Sequence, residues 1–227
     1  IISQIFHYHQ PVYRENKKSD PAIYVLNPDY KKPEIPEYAS LDRSSLTFLP
    51  YAEEEVNNMR IHFTDNDSVQ QIVDFETLKE KVKKADIFHF AGHAIVNSDS
   101  AFLALTDAGQ NVVPVFDNDI YRMTNNLDLV TLSACETGLG DFKYGEGVKS
   151  LATGFLHSGS KSIVYSLWKA DDQSTADIMG SFYKHLYGGE TKDKALNLAK
   201  KDFLMTANPE QRQPYYWAAF VVAGDTT

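Results

Sequence analysis

A histidine and the chain's one cysteine are the residues best suited to covalent chemistry. His93 closes the run His89-Phe90-Ala91-Gly92-His93, and Cys135 lies inside Leu132-Ser133-Ala134-Cys135-Glu136-Thr137-Gly138. A free thiol titrates near about 8.5 and is a poor nucleophile at neutral pH. A neighbouring imidazolium raises the thiolate fraction, and the same imidazole can later protonate a leaving amine. Attack on a carbonyl also needs backbone N–H groups aimed at the developing oxyanion. Small residues flank both positions, namely Gly92 and Ala94 on one side and Ala134 and Gly138 on the other. They leave the main chain open to a substrate carbonyl. The N–H groups of Ala94 and Cys135 are the candidate oxyanion donors.

Each residue also has an ordinary structural reading. A lone cysteine after an apolar strand commonly serves as a small buried hydrophobe, and a histidine at a strand end is often structural. The pairing carries the chemical reading, because both runs close strongly apolar segments. His89 and His93 are four apart, which on a strand puts them on one face. A zinc set of His89, His93 and Cys135 is therefore conceivable. No fourth ligand at a familiar spacing and no His-Glu-x-x-His run accompany them, so no metal or other cofactor is expected. His89 is expected to pack or to support.

The elements that must position these residues alternate between strand and helix. Ala22–Leu26 reads as a buried strand, and 27–50 as a long polar, proline-bearing loop. Ala52–Met59 reads as a short helix. Asp74 can cap a helix bearing Phe75, Leu78 and Val82. Asp86–Gly92 is a strand ending in the first motif. Ala101–Leu105 and Val112–Phe116, around Asp107-Ala108-Gly109, read as a hairpin. Asp128–Ala134 is the strand ending in the second motif. Gly145 is read as the start of a helix with Val148, Leu151, Ala152, Phe155 and Leu156 on one face, in whose first turn Glu146 needs no further explanation. Ser162–Trp168 is a strand, Ser174 a candidate cap for a helix bearing Ile178, Phe182 and Leu186, 191–204 a further helix, and Trp217–Ala223 a closing strand. This alternation predicts an α/β fold with a mostly parallel sheet covered on both faces. Such a sheet presents chemistry at the carboxyl ends of its strands, where both motifs fall.

The 227 residues suffice for one domain with a deep core. We read 1–20 as an N-terminal segment or linker and 21–227 as the domain. A net charge of −9 without a polybasic stripe argues against nucleic-acid binding. One cysteine excludes an internal disulfide framework and suits a reducing cytoplasm. No apolar run reaches membrane-spanning length. Because the chain opens on Ile1, it is expected to be part of a longer protein.

In these residues the chain resembles the CHAT domain, a caspase-like module often found downstream of tetratricopeptide repeats. The resemblance rests on the two runs above, with Gly145-Glu146-Gly147, Ser166-Leu167-Trp168-Lys169-Ala170-Asp171-Asp172, Tyr215-Tyr216-Trp217-Ala218-Ala219-Phe220 and Leu49-Pro50-Tyr51-Ala52-Glu53 in order. It implies a caspase-like α/β/α sandwich and a clan of cysteine endopeptidases that includes caspases, separase and gingipains. Within that clan His93 corresponds to the general acid/base and Cys135 to the nucleophile. The family commonly has glycine where this chain has Ala94, which still offers its N–H in less room. By resemblance to separase, Asp172 lines a pocket for a basic side chain, with Asp171 and Trp168 beside it. The opposing expectation is that Asp171 and Asp172 simply begin a helix. Trp168 and the Tyr215-Tyr216-Trp217 run are alternatively core or groove wall.

The expected function is a cysteine endopeptidase cleaving a specific protein partner in the bacterial cytoplasm. Control by an upstream repeat or sensor region and a role in antiphage defence or cell death follow by analogy alone. The competing expectation is a caspase-like binding module without catalysis. An amidase acting on a small substrate is disfavoured by the lack of a Gly-x-Cys-x-Gly elbow.

Overall fold

The computed structural model describes residues 22–28, 49–62, 68–96, 101–109, 111–133, 142–143, 147–148 and 151–227. The N-terminal segment 1–20, Cys135, Glu136 and Glu146, and most of the predicted 27–50 loop lie outside these residues.

The chain runs β1 (Ile23–Leu26), α1 (Pro50–Arg60), β2 (Ser68–Gln70), α2 (Phe75–Val82) and β3 (Ile87–Phe90). It continues through a small antiparallel sheet, β4 (Ala94–Val96), β5 (Ala101–Thr106) and β6 (Val112–Phe116), into α3 (Asp117–Arg122) and β7 (Leu129–Leu132). A two-stranded pair, β8 (Phe142–Lys143) and β9 (Gly147–Val148), precedes α4 (Leu151–His157) and β10 (Ser162–Ser166). The chain ends with α5 (Asp172–Tyr187), α6 (Lys192–Thr206), α7 (Pro214–Trp217) and β11 (Phe220–Gly224).

The main sheet has six strands in the order β11-β10-β7-β3-β1-β2. All pair parallel except β11, which runs antiparallel to β10. From β1 the chain steps outward to β2 and then crosses back to β3, so the direction of winding reverses beside β1. In open α/β sheets the crevice at such a reversal is where ligands bind.

Alternation along each strand builds two cores. Ile23, Val25, Ile87, Ala91 and Leu129 face one side, with α1, α5 and α6. Tyr24, Leu26, Phe88, Phe90, Val130 and Leu132 face the other, with α2, α3, α4 and the β5–β6 hairpin. Both faces are thus covered, as expected for a parallel sheet. Each fully buried residue of the size of Leu78 or Phe182 contributes about 1.5–3 kcal/mol relative to exposure.

Local chemistry explains the helix starts. Pro50 opens α1 at a position that needs no N–H. The Asp74 carboxylate accepts the Thr77 N–H at 2.7 Å and caps α2, as the sequence predicts. Lys192, at the start of α6, is buried with its ammonium 3.2 Å from Asp128 and donating to the Asp225 and Thr227 carbonyls. It ties the helix to the chain end and to the amino end of β7.

Three expectations need correction. The helix predicted from Gly145 begins at Leu151, and Gly147–Val148 is instead strand β9, paired with β8. Apolar spacing from Val148 onward imitates a longer helix, but two glycines at 145 and 147 work against one. Asp171, not Ser174, caps α5. Trp217 ends the short helix α7, so the last strand starts at Phe220.

Candidate active site

The strands that lead into the two motifs lie side by side. Strands β3 and β7 are parallel neighbours, with Phe90 opposite Leu132. His93 lies three residues beyond Phe90, and Cys135 lies three beyond Leu132. Neighbouring strands are about 4.8 Å apart, so both segments set out from one point on the carboxyl edge. Ser133 fastens them there. Its N–H donates to the Phe90 carbonyl at 3.1 Å, and its hydroxyl lies 3.0 Å from the same oxygen.

His93 is half-buried, and its carbonyl accepts the Ala104 N–H at 2.9 Å. That bond holds the turn after β3 against the β5 strand. Ala94 follows as the first residue of β4, opposite Leu103, and packs against the second core.

Beneath this edge the apolar core is interrupted by a polar seam that sequence reasoning missed. On the α1 and α5 face, the register partners His89 and Thr131 replace the apolar pair found one step earlier, Ile87 and Leu129. The Tyr183 hydroxyl of α5 donates to Thr131 Oγ1 at 2.9 Å and lies 3.2 Å from His89 Nδ1. His89 Nε2 lies 3.0 Å from Glu55 Oε1 of α1, an approach that completes no well-aligned hydrogen bond. The other carboxylate oxygen, Oε2, accepts from the Ser133 hydroxyl at 3.1 Å. His89, Thr131 and Tyr183 are fully buried and Glu55 is 3% exposed. Burial drives the Tyr183 phenol far above its ordinary range, the Thr131 bond opposing and the nearby Tyr187 and Glu55 adding, so it stays a neutral donor. With both ring nitrogens of His89 facing protein groups, its imidazole is committed to this seam. Among the described residues no group of three or more His, Cys, Asp or Glu could hold a metal ion.

The missed residue had a sequence signal. Ala52, Glu55, Val56 and Met59 form one i, i+3, i+4, i+7 stripe, and all four are buried. A glutamate at a core position of an amphipathic helix must meet a partner.

The acidic pair at the start of α5 divides its work. The Asp171 carboxylate accepts the Ser174 N–H at 2.9 Å and its hydroxyl at 2.7 Å, so it is the helix cap. Asp172, the first helical residue, has the Tyr51 N–H at a long 3.4 Å. Desolvation holds its carboxyl above the usual range, partly offset by Tyr51 and reinforced by the charges of Glu55 and Asp171. Trp168 is half-buried against the first core, and its indole N–H donates to the Tyr215 carbonyl at 3.0 Å. All three follow β10, on the same edge as the two motifs.

The CHAT domain family model matches residues 8–225. The chain belongs to the CHAT domain family. No curated protein sequence matches this CHAT domain. Its fold is that of the caspase-like cysteine peptidases. It is similar to separase of Saccharomyces cerevisiae in complex with securin, at 14% identity and a TM-score of 0.59, over 90% of this chain and 12% of that one. It is also similar to the Porphyromonas gingivalis gingipain RgpB in complex with its pro-domain, at 11% identity and a TM-score of 0.55, over 91% of this chain and 47% of that one. The CHAT domain thus spans about an eighth of the separase and under half of the gingipain. No helix among the described residues is long and apolar enough to cross a membrane.

Proposed function

We propose that this CHAT domain is a cysteine endopeptidase working through a His93–Cys135 dyad. The observation that carries the reading is the register of β3 and β7. Phe90 stands opposite Leu132, and in sequence His93 and Cys135 each come three residues after these paired positions.

In the proposed reaction His93 removes the proton from Cys135 Sγ, and the thiolate attacks the scissile carbonyl carbon. The backbone N–H groups of Ala94 and Cys135 receive the oxyanion. As the tetrahedral adduct collapses, the C–N bond breaks, His93 gives its proton to the departing amine, and an acyl-thioester remains. Water, deprotonated by His93, then hydrolyses the thioester and restores the thiol.

Asp172 is the proposed selector for a basic side chain at the position before the cut. A carboxylate that burial and like charges make costly to ionise gains from an arriving guanidinium or ammonium. Gingipain R, a structural neighbour, is an Arg-specific cysteine proteinase. Asp171, held by the cap, and Trp168 form the pocket rim. The physiological substrate is a specific protein partner. Control by a repeat or sensor region, a cytoplasmic setting and a role in bacterial antiphage defence or cell death complete the proposal.

An arginyl chloromethyl ketone peptide tests the dyad directly, with mass spectrometry locating the adduct. Labelling of Cys135 that is lost in His93→Ala supports the reading. Labelling no faster than that of an unactivated thiol rejects it.

A further inference from the structure

The polar seam beneath the two motifs has more partners than packing requires. Glu55 is a carboxylate on the apolar stripe of α1, enclosed by Ser133, His89 and, more distantly, Asp172. An apolar residue at 55 would continue the stripe of Ala52, Val56 and Met59 without any desolvation cost. What the carboxylate does instead is hold the Ser133 hydroxyl. That hydroxyl has a single proton, shared between Glu55 Oε2 at 3.1 Å and the Phe90 carbonyl at 3.0 Å. Phe90 is the last residue of β3 and Ser133 the first after β7, so one hydroxyl stands between the segments leading to His93 and Cys135.

We propose that Glu55 is a positioning residue: through the Ser133 hydroxyl it sets the seat of the chain entering Cys135 relative to the chain entering His93. This rests on the reading of His93 and Cys135 as a dyad. His89 and Tyr183 brace the carboxylate from behind, with Tyr183 fixed in turn by Thr131. Ser133 is two residues from Cys135, so a shift of its hydroxyl moves both the thiol and the backbone N–H that receives the oxyanion. The charge of Glu55 also reaches Asp172, so Ser133→Ala, which leaves that charge in place, is the variant that separates turnover from substrate affinity.

The test compares Glu55→Leu, Ser133→Ala and the double variant in the intact protein, with Ser133→Thr as the conservative rescue. Thermal melting monitored by circular dichroism establishes that each is folded. Each single variant is expected to lose about tenfold in kcat, the loss typical of a small misplacement of reacting groups, and Ser133→Ala, which leaves the Glu55 charge near Asp172 in place, is expected to keep KM within about twofold. The double variant is expected to lose no more than the worse single, because both changes break one linkage. Ser133→Thr is expected to recover most of the activity. A second readout needs no peptidase activity: the pH profile of Cys135 alkylation by iodoacetamide should move upward in both Glu55→Leu and Ser133→Ala. Folded variants with wild-type kcat and an unmoved alkylation profile would overturn the proposal, as would losses that multiply in the double variant. Peptide cleavage that survives Cys135→Ala would instead reject the His93–Cys135 dyad, while the alkylation profile would still decide the role of Glu55.

Discussion

His89 Nε2 lies 3.0 Å from Glu55 Oε1, with both side chains sealed from solvent between α1 and the middle of the sheet. At that distance, with water excluded, the two groups depend on each other.

Removing one of them should therefore be worse than removing both. His89→Leu leaves Glu55 buried beside an apolar group and is expected to destabilise the fold by about 3–5 kcal/mol. The double variant Glu55→Leu/His89→Leu restores an apolar seam and should recover most of that loss. Urea denaturation of wild type, His89→Leu, Glu55→Leu and the double variant measures both. A double variant as unstable as the sum of the singles would show that the pair is not coupled.

Much of this fold is written in apolar periodicity. The strands at 23–26, 87–90, 129–132 and 162–166 and the helix at 75–82 fall within a residue or two of where the spacing of apolar residues places them. Strand β2 escapes such reading, because Ser68-Val69-Gln70 is three residues long and its pairing with β1 is non-local. Helix α3 follows directly from strand β6 with no intervening turn residues. At the site, residue type singles out His93, but nothing in local sequence says that Thr131 pairs with His89 or that Tyr183 reaches both. Those contacts depend on register and on helix α5, which is remote in the chain.

Asp172 gives a pH prediction of definite sign. Its folded-state pKa is raised above the unfolded value, chiefly by desolvation. Such a group favours folding while protonated and loses that contribution as pH rises through the raised value. Asp172→Asn should therefore melt about 2 °C higher than wild type at pH 7, with the gain vanishing below the ordinary carboxylate range. If Asp172 selects basic side chains, the same variant loses cleavage after Arg and Lys. A variant that is no more stable at pH 7 would contradict the environment assigned to Asp172.

Asp171 should show the ordinary signature of a cap. Asp171→Ala leaves the Ser174 N–H and hydroxyl without their acceptor and is expected to destabilise the fold by about 1 kcal/mol. Asp171→Asn, which keeps an acceptor oxygen, should lose much less. Chemical denaturation distinguishes them, and equal losses would contradict the capping role.

Gly159 closes α4 with φ at +120°, and a Cβ there would collide with the Asn125 carbonyl. Gly159→Ala thus meets both backbone strain and a clash, and should destabilise by about 2 kcal/mol or more. A neutral effect on the melting temperature would mean that the 125–159 contact is looser than described.

The central claim is tested most directly by cleavage of peptides with Arg, Lys, Leu or Met before the scissile bond, and of proteins encoded beside this one. Wild type, Cys135→Ala and His93→Ala are compared. The His93–Cys135 dyad predicts specific cleavage by wild type, after Arg or Lys, that is abolished in both variants. Cleavage that persists in Cys135→Ala, or a wild-type protein that cleaves nothing and whose Cys135 reacts no faster than a free thiol, would contradict it.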